Sequence, residues 1–119
     1  MEERNTLSFP IIGRPAPSFI ANTTHGEIDF PKQYEGKWVI LFSHPADFTP
    51  VCTTEFMTFA SLQEEFKSIN TELVGLSIDS VHSHLGWVKA IKGYSWEGIE
   101  NPEVKFPIID DIKMEVANK

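Results

Sequence analysis

Apolar residues run without a break from Trp38 to Phe42 (WVILF), a stretch too short for a helix and rich in β-branched and aromatic side chains. It predicts a central strand buried on both faces. Two further runs, Glu72 to Ile78 (ELVGLSI) and Val104 to Ile109 (VKFPII), have the same character. Pro107 has no backbone N–H to give to a ladder and pushes the third run toward a sheet edge or a bulge. Between the first two runs, Phe56, Phe59, Ala60, Phe66 and Ile69 recur at helical spacing, while Glu55, Gln63, Glu64, Glu65 and Lys67 mostly take the other faces. Between the second and third, Val81, Leu85, Val88 and Ile91 mark another helix, with Asp79 or Ser80 as its cap and Gly93 just past its end.

Strands alternating with helices of this length form parallel pairs through crossover connections, so the pattern predicts a three-layer α/β sandwich. Upstream, Asn22 to Gly26 (NTTHG) separates Phe19-Ile20 from Ile28 to Phe30 and predicts a hairpin. Near the end, Asp110-Asp111 resembles a cap, and Ile112, Met114 and Val116 open a helix that reaches Lys119 without a stop signal or a following strand. Residues 1–119 are therefore expected to form the N-terminal part of one domain that is incomplete at its C-terminus.

Charge narrows the function classes. A formal net charge of −7 repels phosphate backbones and anionic lipid, which argues against nucleic acid as a partner. The opening MEERNTLSFP has early acids and no apolar signal-like core, and no run approaches the length of a membrane span. A soluble, cytoplasmic protein without a membrane partner is the expectation. The single cysteine, Cys52, cannot close an internal disulfide or build a multi-cysteine metal site, so it is either a buried small hydrophobe or a nucleophile. His25, His82 and His84 show no spacing with Cys52 that suggests a metal site, and no metal ligand is assigned.

The stretch His44 to Glu55 (HPADFTPVCTTE) follows the first strand and opens the first helix. With Thr49 as N-cap, Pro50 falls at N1, where its missing N–H costs nothing, and Cys52 at N3. Unpaired N–H groups and the positive end of the helix dipole favour an anion there, which gives a thiolate a physical basis. Sites in open α/β sheets also gather beyond the carboxyl ends of strands, where this loop emerges.

Pro45-x-x-x-Thr49-x-x-Cys52 resembles the P-x-x-x-T-x-x-C signature of the peroxiredoxins. The extended string from Phe42 to Glu55 is similar to the one-cysteine subgroup, as are Leu76 to Val81 with His84 and Trp87, and Phe106 to Asp111. The resemblance begins near Gly13 and runs to the end of the chain. It implies a thioredoxin-like fold and thiol-dependent reduction of hydrogen peroxide, organic hydroperoxides or peroxynitrite, with no metal or flavin cofactor.

By the same resemblance, Cys52 is the attacking thiolate and becomes a sulfenic acid. The Thr49 hydroxyl bonds the peroxide or the thiolate, the Val51 and Cys52 amides stabilise developing charge, and Pro45 shields the pocket from water. Glu55 orients a basic partner. His44 either tunes Cys52 or is a hydrogen-bonded histidine at a strand end, and Trp87 packs in the core or at a subunit interface. The implied partners are a peroxide substrate, an external thiol reductant such as a thioredoxin-like protein or glutathione, and a second copy in a homodimer.

One part of the family's site has no counterpart. Peroxiredoxins use an arginine from a later strand beside the thiolate, and the only arginines here are Arg4 and Arg14, both upstream of the motif. Lys89, Lys92 and Lys105 are candidate substitutes, although an ammonium cannot reproduce the planar fork of a guanidinium. Weakened or absent peroxidase activity is expected if the arginine lies beyond Lys119. The competing expectation is a non-catalytic thioredoxin-like binding or scaffold fragment with an oxidisable thiol.

Overall fold

The computed structural model describes residues 11–100, 102–111 and 116 of the chain. β1 (Phe19–Thr23) and β2 (Gly26–Phe30) form the expected hairpin, with Phe19 opposite Phe30 and Thr23 opposite Gly26. Gly26 has φ +92°, a conformation that costs a residue without a Cβ little. A 3-10 turn, Lys32–Tyr34, leads into β3 (Trp38–Ser43), α1 (Pro50–Ser68), β4 (Thr71–Ser77) and α2 (Val81–Ile91). A small separate hairpin, β5 (Ser95–Trp96) with β6 (Ile99–Glu100), precedes β7 (Ile108–Asp110).

The main sheet has the order β2-β1-β7-β4-β3. β3 runs parallel to β4, and β4 parallel to β7, as alternating strands and helices require. β1 pairs antiparallel with β7 at Thr23 and Ile109, so the N-terminal hairpin extends the same sheet.

Two expectations about position in the sheet are corrected. Among the described residues β3 stands at an edge rather than in the middle of the sheet; Trp38 is 75% exposed, and Ile40 and Leu41 also meet solvent. β4 lies inside the sheet, between β7 and β3, and its residues from Leu73 to Ser77 are all buried. The third apolar run does not lie at an edge either. Its ladder starts at Ile108, directly after Pro107, whose carbonyl accepts from the Gly75 amide. Because proline stands just outside the strand, its missing N–H costs no ladder bond, and β7 sits between β1 and β4.

Each face of the sheet carries its own core. On one side, Phe56, Met57 and Ala60 of α1 pack with Trp87 and Ile91 of α2 over Leu73 and Ile108. On the other, Phe19, Ile28, Phe30 and Tyr34 close over Val74, Leu76 and Ile109. Among the described residues both helices therefore cover the same face. The alternation along β4 makes this division, since Leu73 and Gly75 face the helices while Val74 and Leu76 face away.

Helix faces follow the sequence pattern with two corrections. Ile69 is the C-cap of α1 and is exposed, because the helix ends at Ser68. On α2, Leu85 is 49% exposed, and the buried face is instead His84, Trp87 and Ile91. Ser80 is the cap of α2, its hydroxyl accepting from the Ser83 amide at 3.1 Å. Of the expected C-terminal helix, positions 112–115 lie outside the described residues; Val116 donates its amide to Asp111 Oδ1 at 2.8 Å.

Candidate active site

The loop between β3 and α1 delivers Cys52 into the first turn of the helix. Thr49 is the N-cap with φ −83° and ψ 147°, and Pro50 stands at N1 as the spacing requires. Thr49 caps through its backbone: its carbonyl accepts from the Thr53 amide at 2.9 Å, while its hydroxyl donates to Ala46 O at 3.1 Å. That leaves the hydroxyl oxygen able to accept. Phe48, just before the cap, has φ +65°, a left-handed conformation that a bulky side chain seldom adopts and that stores about 1 kcal/mol or more. Its ring passes over α2 where Gly86 offers no side chain; a Cβ there would stand 3.8 Å from Phe48 Cζ.

Cys52 is a free thiol, 4% exposed, packed in the same apolar cluster as Phe56, Met57 and Trp87. Val51 beside it is 69% exposed, and Pro45 also faces solvent. The reacting atom of the proposed site thus sits just beneath a surface formed by its own loop. Glu55, one turn on, is exposed and forms no ion pair among the described residues. Lys92 pairs at the surface with Glu103, at 3.8 Å. Lys89 and Lys105 are exposed, and Arg14 lies in the exposed segment before β1. Arg4 lies outside the described residues.

Behind the loop lies a buried polar cluster that the sequence motif does not reveal. His44 Nε2 meets Asp47 Oδ1 at 2.6 Å, and His84 Nδ1 meets Asp47 Oδ2 at 2.7 Å. The Ser83 hydroxyl donates to Asp47 Oδ2 at 2.9 Å, and the Asp47 amide donates to Asp79 Oδ2 at 2.6 Å. His84 Nε2 reaches the Ile109 carbonyl at 2.9 Å. Burial by itself pushes the Asp47 carboxyl up, but hydrogen bonds from His44, His84 and Ser83, with the charge of His84, hold it well below the usual carboxylate range. Burial likewise pushes His84 down, and the bond and charge of Asp47, the Ile109 carbonyl and Asp79 outweigh it, so its pKa is raised.

An ionised Asp47 only accepts, so His44 Nε2 carries the shared proton and His44 Nδ1 is buried without a partner among the described residues. The His44 ring lies against Phe56 at 4.9 Å and Trp87 at 5.0 Å between centroids. Trp87, fully buried, donates its indole N–H to Thr53 Oγ1 at 3.0 Å, which ties α2 to the first turn of α1. Trp87 is core.

His44, Asp47 and His84 also have the residue types of a metal site, with ligand atoms within 4.8 Å of one another. Two atoms sharing a tetrahedral ion at about 2.0–2.1 Å each would stand about 3.3 Å apart. The Asp47 contacts of 2.6 and 2.7 Å are shorter than that, and are those of a hydrogen-bond network. In the sequence Asp47 lies inside the Phe42-to-Glu55 string and His84 among the residues similar to the one-cysteine subgroup, and neither carries an assigned role there. A separate cavity of about 350 Å³ opens elsewhere, lined by His25, Tyr34, Lys37, Lys67, Glu72 and Lys105 among others, and includes none of Pro45, Thr49 and Cys52. Burial and then Glu72 raise the Tyr34 phenol above its ordinary value.

A family model described as the AhpC/TSA family matches residues 12–119. A peroxiredoxin of Methanosarcina mazei is 68% identical over 111 residues, covering 92% of this chain and 51% of that protein. A peroxiredoxin of Aquifex aeolicus is 58% identical over 113 residues, covering 95% and 49%. Among solved structures, a yeast mitochondrial 1-Cys peroxiredoxin, described in terms of thiol resolution via glutathione/thioredoxin systems, superposes with a TM-score of 0.82 at 47% identity, covering 92% of this chain and 49% of its own. Peroxiredoxin 6 of Arenicola marina, as a cysteine-to-serine mutant, gives the same TM-score at 35% identity, with 92% and 48% covered. The chain spans about half the length of the curated relatives it matches.

Proposed function

Because the chain belongs to the AhpC/TSA family and has the thioredoxin-like fold of peroxiredoxins, we propose that it serves the thiol-dependent reduction of hydrogen peroxide and organic hydroperoxides. The observation that carries this reading is the lone cysteine, Cys52, placed in the first turn of α1 behind the Pro45-to-Thr49 loop. The Cys52 thiolate attacks one peroxide oxygen and its electron pair forms the S–O bond. The O–O bond breaks, and the departing alkoxide or hydroxide takes up a proton to leave as alcohol or water. Cys52 becomes a sulfenic acid, the first rung of the oxidation ladder.

In this reading the Thr49 hydroxyl, held on its donor side by Ala46 O, orients the thiolate or the bound peroxide. The Val51 and Cys52 amides lie among the first N–H groups of α1, which have no partner within the helix, and they stabilise the charge that develops. His44, whose Nδ1 has no partner among the described residues, tunes Cys52. Pro45 covers the loop, and Glu55 awaits a cation that the described residues do not supply. Among those residues no arginine stands beside Cys52, so the guanidinium of the family's site must come from elsewhere in the protein or from a second copy.

With one cysteine, the sulfenic acid needs an external thiol; glutathione or a thioredoxin-like protein is proposed, in line with the systems named for the yeast relative. A homodimer in the cytoplasm completes the reading. Family membership and the capped Cys52 turn favour it over a non-catalytic scaffold. Rapid mixing with hydrogen peroxide followed by trapping of the sulfenic acid tests it. Trapping many-fold faster than for free cysteine is expected, and a rate no faster than free cysteine overturns the proposal.

A further inference from the structure

His84 is fully buried, and both of its ring nitrogens are engaged. Nδ1 faces Asp47 Oδ2 at 2.7 Å and Nε2 faces the Ile109 carbonyl at 2.9 Å. A carbonyl oxygen only accepts, so Nε2 carries a proton. At Nδ1 the proton could sit on either partner. Asp47 already receives His44 Nε2 on one oxygen and the Ser83 hydroxyl on the other, and such donors favour its ionised form. The proton therefore belongs to Nδ1, and the ring carries two.

We propose that His84 is a buried imidazolium that clamps the Cys52 loop to the sheet, and so acts as a positioning residue for that loop. This rests on the reading of the loop as the reacting site. One ring joins three segments distant in sequence: the loop through Asp47, α2 through its own backbone, and β7 through Ile109. The loop is otherwise tied down by the Ser83 hydroxyl on Asp47 Oδ2, by the Asp47 amide on Asp79 and by the His44 amide on Leu76 O. Phe48, in its left-handed conformation, gives the same loop a reason to relax if the clamp opens.

The titratable groups at this end of the fold are Asp47 and His44 from the loop, Asp79 ahead of α2, and Asp110 and Asp111 at the end of β7. The acids outnumber the other bases, and the charge of His84 is thereby balanced. When alkaline pH removes one proton, the neutral ring can satisfy Asp47 or Ile109, but not both. One of the two contacts of the clamp is then lost, and the loop loosens.

The test is nitrogen NMR on the 119-residue chain with labelled histidine, without peroxide, so that the charge state is read independently of any peroxidase activity. Both His84 nitrogens are expected at imidazolium shifts at neutral pH; one unprotonated nitrogen there overturns the proposal. The protection of the Ala46 to Thr49 amides, taken relative to intrinsic exchange at each pH, should fall as His84 titrates. In His84→Gln, which keeps a single donor group, it should be lower at neutral pH by about tenfold, the loss expected for one charge-assisted hydrogen bond. Unchanged loop exchange in a folded variant also overturns it. If His84→Gln does not fold, the pH dependence of loop protection in the unmodified chain decides, protection that stays constant through the His84 titration being the contrary result. Sulfenic acid trapping, measured separately, tells failure of the clamp from failure of the peroxidase reading.

Discussion

Asp47 and His84 are 37 positions apart in the chain and meet in its interior, carboxylate oxygen to ring nitrogen, at 2.7 Å. Around this contact the loop that carries Cys52, helix α2 and strand β7 are joined by hydrogen bonds rather than by apolar packing alone. Such a pair contributes little net stability over a well-packed apolar substitute, but removing one partner leaves a buried group uncompensated.

Asp47→Asn should therefore destabilise the fold by about 3–5 kcal/mol, since it removes the carboxylate charge opposite His84. Denaturant unfolding followed by far-UV circular dichroism measures this. A loss below about 1 kcal/mol, the worth of a surface pair, would contradict the buried contact.

The pH dependence of stability follows from the two shifted groups. His84 is raised above 6.5, so its contribution is complete below that value and is lost as pH climbs through the folded-state pKa. Asp47 is lowered below 3.8, so its contribution is complete above that value and is lost as pH falls through the folded-state pKa. The pair thus supports the fold fully between 3.8 and 6.5 and weakens on either side. Thermal midpoints across pH should show an alkaline decline that is shallower in Asp47→Asn.

Gly75 on β4 has no room for a side chain. An added Cβ would stand 3.1 Å from Phe56 Cζ and 3.6 Å from Ile108 Cγ1. The Phe56 ring cannot retreat, being packed against Phe42, His44, Trp87 and Phe106. Gly75→Ala should cost about 1–3 kcal/mol through overpacking. The companion change Phe56→Leu should recover part of that loss in a double-mutant cycle, and strict additivity would contradict the steric account.

If Cys52 is the nucleophile, Cys52→Ser abolishes peroxide consumption, and surviving turnover would implicate another group. Thr49→Val removes the hydroxyl but keeps the shape, and should lower the rate of sulfenic acid formation by about 10². The same variant leaves Ala46 O without its donor, so its unfolding free energy should fall by only about 1 kcal/mol. A rate loss no larger than that stability change predicts would remove Thr49 from the chemistry.

Local signals carried much of the fold. The β1–β2 hairpin was readable from the turn at Asn22 to Gly26, α1 from its cap and apolar period, and Cys52 at N3 from Pro50 at N1, because each depends on residues close in the chain. The family signature likewise lies within a few residues of Cys52. Position within the sheet was not readable in this way. β3 and β4 are both apolar runs, yet among the described residues β4 is covered on both faces and β3 stands at the edge, a difference made by which strands come to pair with them. His84 entered only through the family resemblance, and only the approach of Asp47 and Ile109 from distant segments makes its burial affordable. The sequence by itself determined α1, α2, the β1–β2 hairpin and the placement of the thiol, since short-range sterics and capping govern them. Tertiary structure alone decided the sheet order and the charge cluster behind Cys52, since buried polar groups acquire partners only when segments far apart in the chain are brought together.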